Sequence, residues 1–230
     1  MKKLLIINPN SSEEMTRDIR NTVAYAVDSE WSIDVVRMAG SPHVLESFSD
    51  YTLAGAQVIT YLSQLQEQGP FHYDGVLLAC MGDPCLYAVK EVCPVPLVGI
   101  AEAGISTALL AGYKFSILAS SEKAKPMMES MVMTYGLTDR MASVETFALP
   151  IGAFMKDPEV LRSSIRNTVG SAVANGADVL LLGCAGMTML SQELDTLADI
   201  LIIDPIKAGV EQLKAMLRGG FSVSHVGLYA

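Results

Sequence analysis

The chain lacks the features that mark nucleic-acid-binding, membrane-spanning and nucleotide-binding proteins. Its 16 lysines and arginines are outnumbered by 25 acidic residues, and the net charge of −9 argues against nucleic acid as a main partner. No apolar run reaches the roughly 18 residues that a membrane span requires. No glycine-rich phosphate-binding motif is present, so the sequence gives no support for nucleotide binding. These absences leave a small molecule as the expected partner.

Cysteine and histidine are also scarce, and their spacing does not suit a metal site. Four cysteines without an obvious pairing pattern predict reduced thiols and a cytoplasmic location. His43, His72 and His225 stand at no ligand-like spacing from the cysteines, so we predict no metal. Cys85 is predicted as a helix residue near the ligand cleft, and Cys93 as a packed core position. A Cys–His pair that forms only in three dimensions stays open, although no local signature supports it.

Half of the 230 residues are hydrophobic, and apolar runs alternate with segments of helical length. This alternation predicts an α/β protein whose mainly parallel sheets are flanked by helices. The predicted strands are 3–7, 33–37, 75–79, 96–100, 115–119, 144–147, 179–183 and 200–203. The predicted helices are 12–27, 50–68, 84–91, 103–111, 122–135, 158–175, 188–194 and 206–218.

A nine-residue pattern occurs twice in the chain. Residues 74–82 and 178–186 both fit D-x-x-L-L-x-C-x-G, which describes a buried strand that ends in a cysteine. In each half a Ser-Ser-Glu triplet follows an earlier strand and precedes the cysteine by a similar distance. We therefore predict two pseudo-symmetric lobes with a cleft between them. Lobe one comprises residues 1–100 plus 208–230, and lobe two comprises residues 101–207.

The two repeated cysteines, Cys80 and Cys184, are the strongest candidates for chemistry. A single cysteine at a strand end is usually a small buried hydrophobe, but the repetition favours a functional role. Ligands of open α/β sheets bind beyond the carboxyl ends of strands, where both cysteines stand. The following residues, Met81–Gly82 and Ala185–Gly186, can direct backbone N–H groups at the site. Such donors lower the pKa of a thiol and stabilise negative charge on a carbonyl oxygen.

Polar loops after two other predicted strands supply further candidates. After the first strand, Ser11 and Glu14 are spaced as a capping box that would begin a helix. The amide of Asn10 in the same loop can bind a polar group of a ligand. Ser120 and Ser121 follow the first strand of the second half, as helix caps or as donors to a carbonyl or carboxylate group.

Several of these segments resemble the aspartate/glutamate/hydantoin racemase superfamily, most closely its hydantoin and allantoin racemases. The matching segments are 7–16, 79–84 and 182–187, with weaker matches at 40–42, 204–205 and 227–230. They span nearly the whole chain. The Asn-Pro-Asn opening and the Cys-x-Gly-Asp-Pro motif point to the hydantoin branch. Met81 and Cys85 depart from the usual pattern of that branch, as does the Ser120–Ser121 pair.

The resemblance implies two flavodoxin-like lobes, an active site in the cleft between them, and a homo-oligomer. It implies cofactor-independent racemisation at C5 of a hydantoin-type ring, with Cys80 and Cys184 as the two acid/base residues. It also places Pro42 among the substrate-binding residues, beside those already named. Alternatives on the same scaffold are a sibling isomerase, a decarboxylase or an amino-acid racemase. A non-catalytic small-molecule binding protein is the alternative from another class.

Overall fold

Two four-stranded parallel sheets form the framework of the protein. The computed structural model describes residues 1–147, 158–190, 200–224 and 226–229. The strands of the first sheet are β1 (Lys2–Asn8), β2 (Trp31–Arg37), β3 (Gly75–Leu78) and β4 (Leu97–Gly99). The strands of the second are β5 (Phe115–Ala119), β6 (Met141–Thr146), β7 (Val179–Leu182) and β8 (Leu201–Ile203). The strand orders, β2-β1-β3-β4 and β6-β5-β7-β8, are the same when each sheet is numbered from its first strand. The internal repeat in the sequence therefore corresponds to a repeated topology.

Helices follow strands β1 to β6 and β8, and most of them form the crossovers that parallel pairing requires. They are α1 (Glu13–Val23), α2 (Phe48–Glu67), α3 (Leu86–Val92), α4 (Ile100–Ala111), α5 (Lys125–Thr134), α6 (Pro158–Ala174) and α7 (Pro205–Arg218). Short 3₁₀ turns lie at Ala24–Ala26, Glu122–Ala124, Thr138–Arg140, Ala185–Leu190 and Gly227–Tyr229. Within the described ranges, no helix combines the length and apolar character that crossing a membrane requires.

The chain divides into two compact units. One contains Met1–Ala103 and Ile206–Ala230, and the other contains Gly104–Pro205. The predicted lobes, residues 1–100 plus 208–230 and residues 101–207, stay a prediction.

The core of the first unit is built on the central strands β1 and β3. The apolar residues Leu4–Ile7 are fully buried, as continuous apolar strands of a parallel sheet are expected to be. Helix α7 packs on this sheet at two glycines. A Cβ atom at Gly75 would lie 2.9 Å from Leu213, and one at Gly209 would lie 2.5 Å from Leu77. The missing side chains therefore let the helix approach the sheet closely.

The second unit repeats this construction with different residues. Leu118 of β5 and Leu180 and Leu182 of β7 are fully buried against Ile165 of α6. Cys184 packs at the margin of this cluster, directly after β7. The core of the second unit thus reaches the end of the strand that carries the candidate cysteine.

All eight predicted strands are confirmed, with shifts of a few residues at their ends. Several predicted helices differ from the structure. Helix α4 begins at Ile100 and not at residue 103, and helix α1 ends at Val23 and not at residue 27. The helix predicted at 84–91 begins at Leu86, because Cys85 before it adopts a left-handed conformation with φ of 54°. The segment predicted as helix 188–194 overlaps the 3₁₀ turn Ala185–Leu190, and its later residues lie outside the described chain.

The predicted cap of helix α1 is wrong by one residue. Ser12, not Ser11, is the N-cap, and its hydroxyl accepts a hydrogen bond from the Met15 N–H at 3.1 Å. This places Met15 at the third helical position, so Glu14 cannot complete the predicted capping box.

Candidate active site

Cys80 lies directly beyond β3, at the carboxyl edge of the first sheet. The N–H of Ala79 donates to the Ile7 carbonyl at 2.8 Å, so pairing with β1 continues to the residue before the cysteine. The Cys80 carbonyl then accepts from the Asp83 N–H at 2.9 Å, which closes a turn. Cys80 itself is half-buried.

Cys184 occupies the same local position in the second unit. The N–H of Gly183 donates to the Leu118 carbonyl at 2.8 Å, and the Cys184 carbonyl accepts from the Met187 N–H at 3.0 Å. Cys184 is also half-buried. Each cysteine therefore lies two residues beyond a central strand and begins a turn closed three residues later, so the sequence repeat extends to hydrogen bonding.

The surroundings of Cys184 act on its acidity in two opposed directions. Burial raises the pKa of the Cys184 thiol, since the thiolate loses its solvation. The backbone N–H of Gly186 bonds to the thiol and lowers the pKa, by less than burial raises it. The protonated form, which can return a proton to a carbanion, is therefore favoured at neutral pH. The bond from Gly186 is a backbone donor of the kind that the sequence predicts after each cysteine.

Asn8 joins the end of β1 to helix α1, and sequence reasoning missed it. Its side chain is fully buried, and its amide nitrogen donates to Asn10 Oδ1 at 2.9 Å and to Thr16 Oγ1 at 3.0 Å. Its own Oδ1 accepts from the Asn10 N–H at 3.3 Å. A polar residue at the end of an apolar strand is the one signal in the sequence that points to this role. The network fixes the loop that carries Asn10.

Asn10 is 5% exposed, and the oxygen and nitrogen of its side-chain amide have different partners. Its Oδ1 accepts from the Asn8 amide and from the Ser12 N–H, both at 2.9 Å. Its Nδ2 lies 3.1 Å from Met15 Sδ, which is a weak acceptor. The amide nitrogen of Asn10 carries two hydrogens that can be donated, and one of them points to the Met15 sulfur. The predicted role of Asn10 as a donor to substrate stays a prediction.

Asn10→Ala is expected to lower kcat/KM by about 10²-fold, the effect of removing one donor from a developing oxyanion. It also removes the acceptor for two buried N–H groups, so unfolding should become easier by about 1–3 kcal/mol. Steady-state kinetics and chemical denaturation measure the two effects. Asn10→Asp is the matched variant, because it keeps the acceptor oxygen and removes the donor. An unchanged kcat/KM in folded Asn10→Ala would reduce Asn10 to a structural residue.

Pro42 lies beside the Asn10 loop. The Pro42 carbonyl accepts from the Ser11 N–H at 3.1 Å, and the Met38 N–H donates to the Asn10 carbonyl at 3.2 Å. The loops that follow β1 and β2 are thereby joined at the same edge of the sheet as Cys80. Pro42 is half-buried.

The two residues after Cys80 differ in their surroundings. Met81 is 2% exposed and belongs to the core. Gly82 is covered by the ring of Tyr51, and a Cβ atom at Gly82 would overlap that ring. Tyr51, from helix α2, was not identified from the sequence, because nothing near position 51 indicates contact with residue 82.

In the second unit, the candidates follow the neighbouring strands β5 and β7. Ser120 is exposed and Ser121 is half-buried, directly after β5. Ser121 precedes a 3₁₀ turn, which its side chain does not cap. Ala185 is buried and Gly186 is half-buried, after β7. Since β5 pairs with β7, these candidates share the carboxyl edge of the second sheet with Cys184.

The other two cysteines have separate roles. Cys85 is exposed and precedes helix α3, so its prediction as a helix residue is wrong, and its thiol lies 3.8 Å from the Tyr51 carbonyl. Cys93 is a core residue, as predicted, and burial raises the pKa of its thiol to about 11. All four cysteines lie in described segments, and no disulfide links them. Over the described residues, no cluster of three or more His, Cys, Asp or Glu side chains could hold a metal ion.

Two units of the same topology, each with a cysteine beyond a central strand, define an α/β protein built on a repeated cysteine site. Comparison with known proteins identifies its class. A sequence model of the Asp/Glu/hydantoin racemase family matches residues 4–213. The chain belongs to this family, and it is an isomerase of the racemase type.

Individual relatives agree with this assignment. The hydantoin racemase of Pseudomonas sp. (strain NS671) is 32% identical over 228 residues, which cover 99% of this chain and 90% of that protein. The hydantoin racemase of Paenarthrobacter aurescens is 29% identical, over 99% of this chain and 96% of that protein. Among solved structures, the allantoin racemase from Klebsiella pneumoniae has a TM-score of 0.88 and 27% identity. That match covers 100% of this chain and 93% of that one.

Proposed function

We propose that this racemase inverts the C5 carbon of a hydantoin-type ring, either a 5-substituted hydantoin or allantoin, with Cys80 and Cys184 as its two bases. The observation that carries the proposal is the equivalence of the two cysteines. Each follows a central strand of its own unit, and its carbonyl accepts from the N–H three residues later. A two-base racemase needs such a pair, because a proton leaves one face of the carbon and arrives at the other.

The chemistry follows from the acidity of the C5 hydrogen. This hydrogen lies next to a ring carbonyl, so its removal gives an enolate-like anion. The thiolate of one cysteine takes the proton from one face, and the thiol of the other gives a proton to the opposite face. The electron pair returns from the carbonyl to C5, and the product is the mirror image of the substrate. No oxidant, reductant or cofactor enters this balance.

Backbone and side-chain donors would hold the ring during the reaction. The Gly186 N–H already bonds to Cys184, and the loop of Asn10 lies at the same sheet edge as Cys80. Donors of this type stabilise the oxygen on which charge develops. The proposed substrate-binding set comprises Asn10, Pro42, Met81, Gly82, Ser120, Ser121, Ala185 and Gly186.

The proposal is tested with single enantiomers of allantoin and of alkyl and aryl hydantoins in D₂O. Optical rotation should fall to zero while the C5 hydrogen is replaced by deuterium, faster than in a sample without protein. Aspartate, glutamate and an arylmalonate complete the panel and represent the sibling activities. We expect activity to persist after extensive chelation and without added pyridoxal phosphate.

Three of the alternatives have their own outcome in this experiment. Loss of carbon dioxide from the malonate, without racemisation of any hydantoin, would identify a decarboxylase. Racemisation of aspartate or glutamate alone would identify an amino-acid racemase. A protein that binds a hydantoin and changes neither rotation nor deuterium content would be a binding protein.

A further inference from the structure

The loop that follows Cys80, residues 81–85 (the Cys80 loop), is held by side chains that lie directly against glycines. The Tyr51 ring covers Gly82, and the Cys85 side chain lies against Gly55 of helix α2. A Cβ atom at either glycine would overlap the neighbouring side chain. Both contacts therefore depend on a glycine, which is Gly82 of the loop in one case and Gly55 of helix α2 in the other.

The third contact involves Asp83 and the first turn of helix α4. Asp83 is 6% exposed, and its carboxylate accepts from the N–H of Ala101 at 3.1 Å and of Glu102 at 2.9 Å. The carboxylate also lies against Gly99, where a Cβ atom would overlap it. N–H groups in the first turn of a helix have no partner within the helix, and the helix dipole favours an anion there. Asp83 thus caps a helix that begins 17 residues after it.

The backbone of the Cys80 loop requires such support. Asp83 has φ of 40° and Cys85 has φ of 54°, both in the left-handed region that non-glycine residues rarely occupy. Conformations of this kind persist where the surrounding structure determines them. The Asp83 carboxylate is the buried charged group that fixes this loop to a neighbouring element.

The equivalent loop of the second unit has no such carboxylate. Met187 stands three residues after Cys184, as Asp83 stands three residues after Cys80, and it is fully buried in the second core. The two cysteines are therefore supported differently. Cys80 precedes a carboxylate that caps helix α4, and Cys184 precedes a buried apolar side chain.

We infer that Asp83 is a positioning residue for Cys80 alone, which sets the approach of this thiol to one face of the substrate by fixing the Cys80 loop to the start of helix α4. The inference rests on the proposed two-base function. Its signature is an effect confined to proton transfer at one face, since Cys184 depends on other residues.

The test measures hydrogen–deuterium exchange at C5 in two backgrounds. Cys184→Ser leaves Cys80 as the thiol base, and Cys80→Ser leaves Cys184. Adding Asp83→Asn should slow exchange about tenfold to hundredfold in the first background, because displacement of a catalytic group by about 1 Å has effects of that size. In the second background exchange should not change. Rates are normalised to the folded fraction from circular dichroism.

Two further variants separate position from charge. Gly99→Ala keeps the Asp83 charge but displaces the carboxylate, so it should reproduce the effect of Asp83→Asn. Glu102→Gln removes a neighbouring charge that bonds to the Gly99 N–H at 3.0 Å and pairs with Lys90, and it should change neither background. Equal slowing in both backgrounds by Asp83→Asn, or no slowing in either, would overturn the inference.

A second measurement is independent of the proposed reaction. Iodoacetamide labelling of Cys80 and Cys184 in the otherwise unmodified chain is followed by peptide mass spectrometry. Asp83→Asn and Gly99→Ala should both change the labelling rate of Cys80 relative to that of Cys184. An unchanged ratio would overturn the inference even if the protein racemises hydantoins. A changed ratio in a protein without that activity would support the positioning of Cys80 by Asp83 and would reject the proposed function.

Discussion

Cys80→Ser and Cys184→Ser are each expected to abolish racemisation, with a fall in kcat of at least about 10³-fold, within the range ascribed to general acid–base groups. A serine hydroxyl is a much weaker acid than a thiol, so serine supplies no base near neutral pH, whereas a thiol keeps a small thiolate fraction even where burial raises its pKa, as at Cys184. Because racemisation uses both faces of the carbon, one remaining thiol cannot complete it. Polarimetry on single enantiomers measures the loss.

Each single variant nevertheless keeps one base. It should still exchange the C5 hydrogen of one enantiomer with D₂O, and the two variants should prefer opposite enantiomers. Proton NMR of the C5 position follows this exchange. Cys93→Ala is the matched control, since it removes a buried thiol of the core and should leave racemisation intact. Racemisation that survives either serine substitution, or exchange of both enantiomers by one variant, would refute the two-base mechanism.

Gly183→Ala is expected to impair catalysis by displacing Cys184, although it adds a single methyl group. That methyl group would lie 2.5 Å from the Leu118 carbonyl oxygen and 3.0 Å from Ile117 Cγ2, so β7 must move away from β5 directly before Cys184. Overpacking of this kind costs about 1–3 kcal/mol of unfolding free energy. A displaced Cys184 should lower kcat/KM by about 10²-fold. Denaturant unfolding and steady-state kinetics report the two losses.

Gly170→Ala is the control for this prediction. Gly170 lies in helix α6 of the same unit, and apart from its chain neighbours and the helix backbone no atom of the described residues lies within 4 Å of the Cβ atom that alanine would add there. Alanine in a helix interior is favoured over glycine by about 0.5–1 kcal/mol, so this variant should be more stable and fully active. If Gly183→Ala behaves in the same way, the close approach of β7 to β5 does not position Cys184.

The sequence determined the strands and the positions of the two cysteines. Continuous apolar runs between helix-length segments are sufficient to predict buried parallel strands, because burial on both faces leaves no polar alternation. The repeat around Cys80 and Cys184 then located equivalent strand ends. The predicted core position of Cys93 is confirmed as well.

The tertiary structure decided how the loops are held. Asp83 caps a helix from outside, so helix α4 begins at Ile100 and not at the predicted residue 103. No local cap precedes that helix in the sequence, and the carboxylate that replaces it comes from a loop on another strand. The cap of helix α1 is Ser12 and not Ser11, because the Asn8 network holds the Asn10 loop and Ser12 in place.

Hydrophobic periodicity is a property of neighbouring residues and can be read from the chain directly. A carboxylate on a distant helix terminus, or a ring above a distant glycine, depends on how separate elements pack. Tyr51 and Gly82 are 31 positions apart, and their contact exists because helix α2 lies against the loop that follows β3. The apolar pattern of the sequence therefore placed both cysteines just beyond central strands, and packing between elements decided which residues support them.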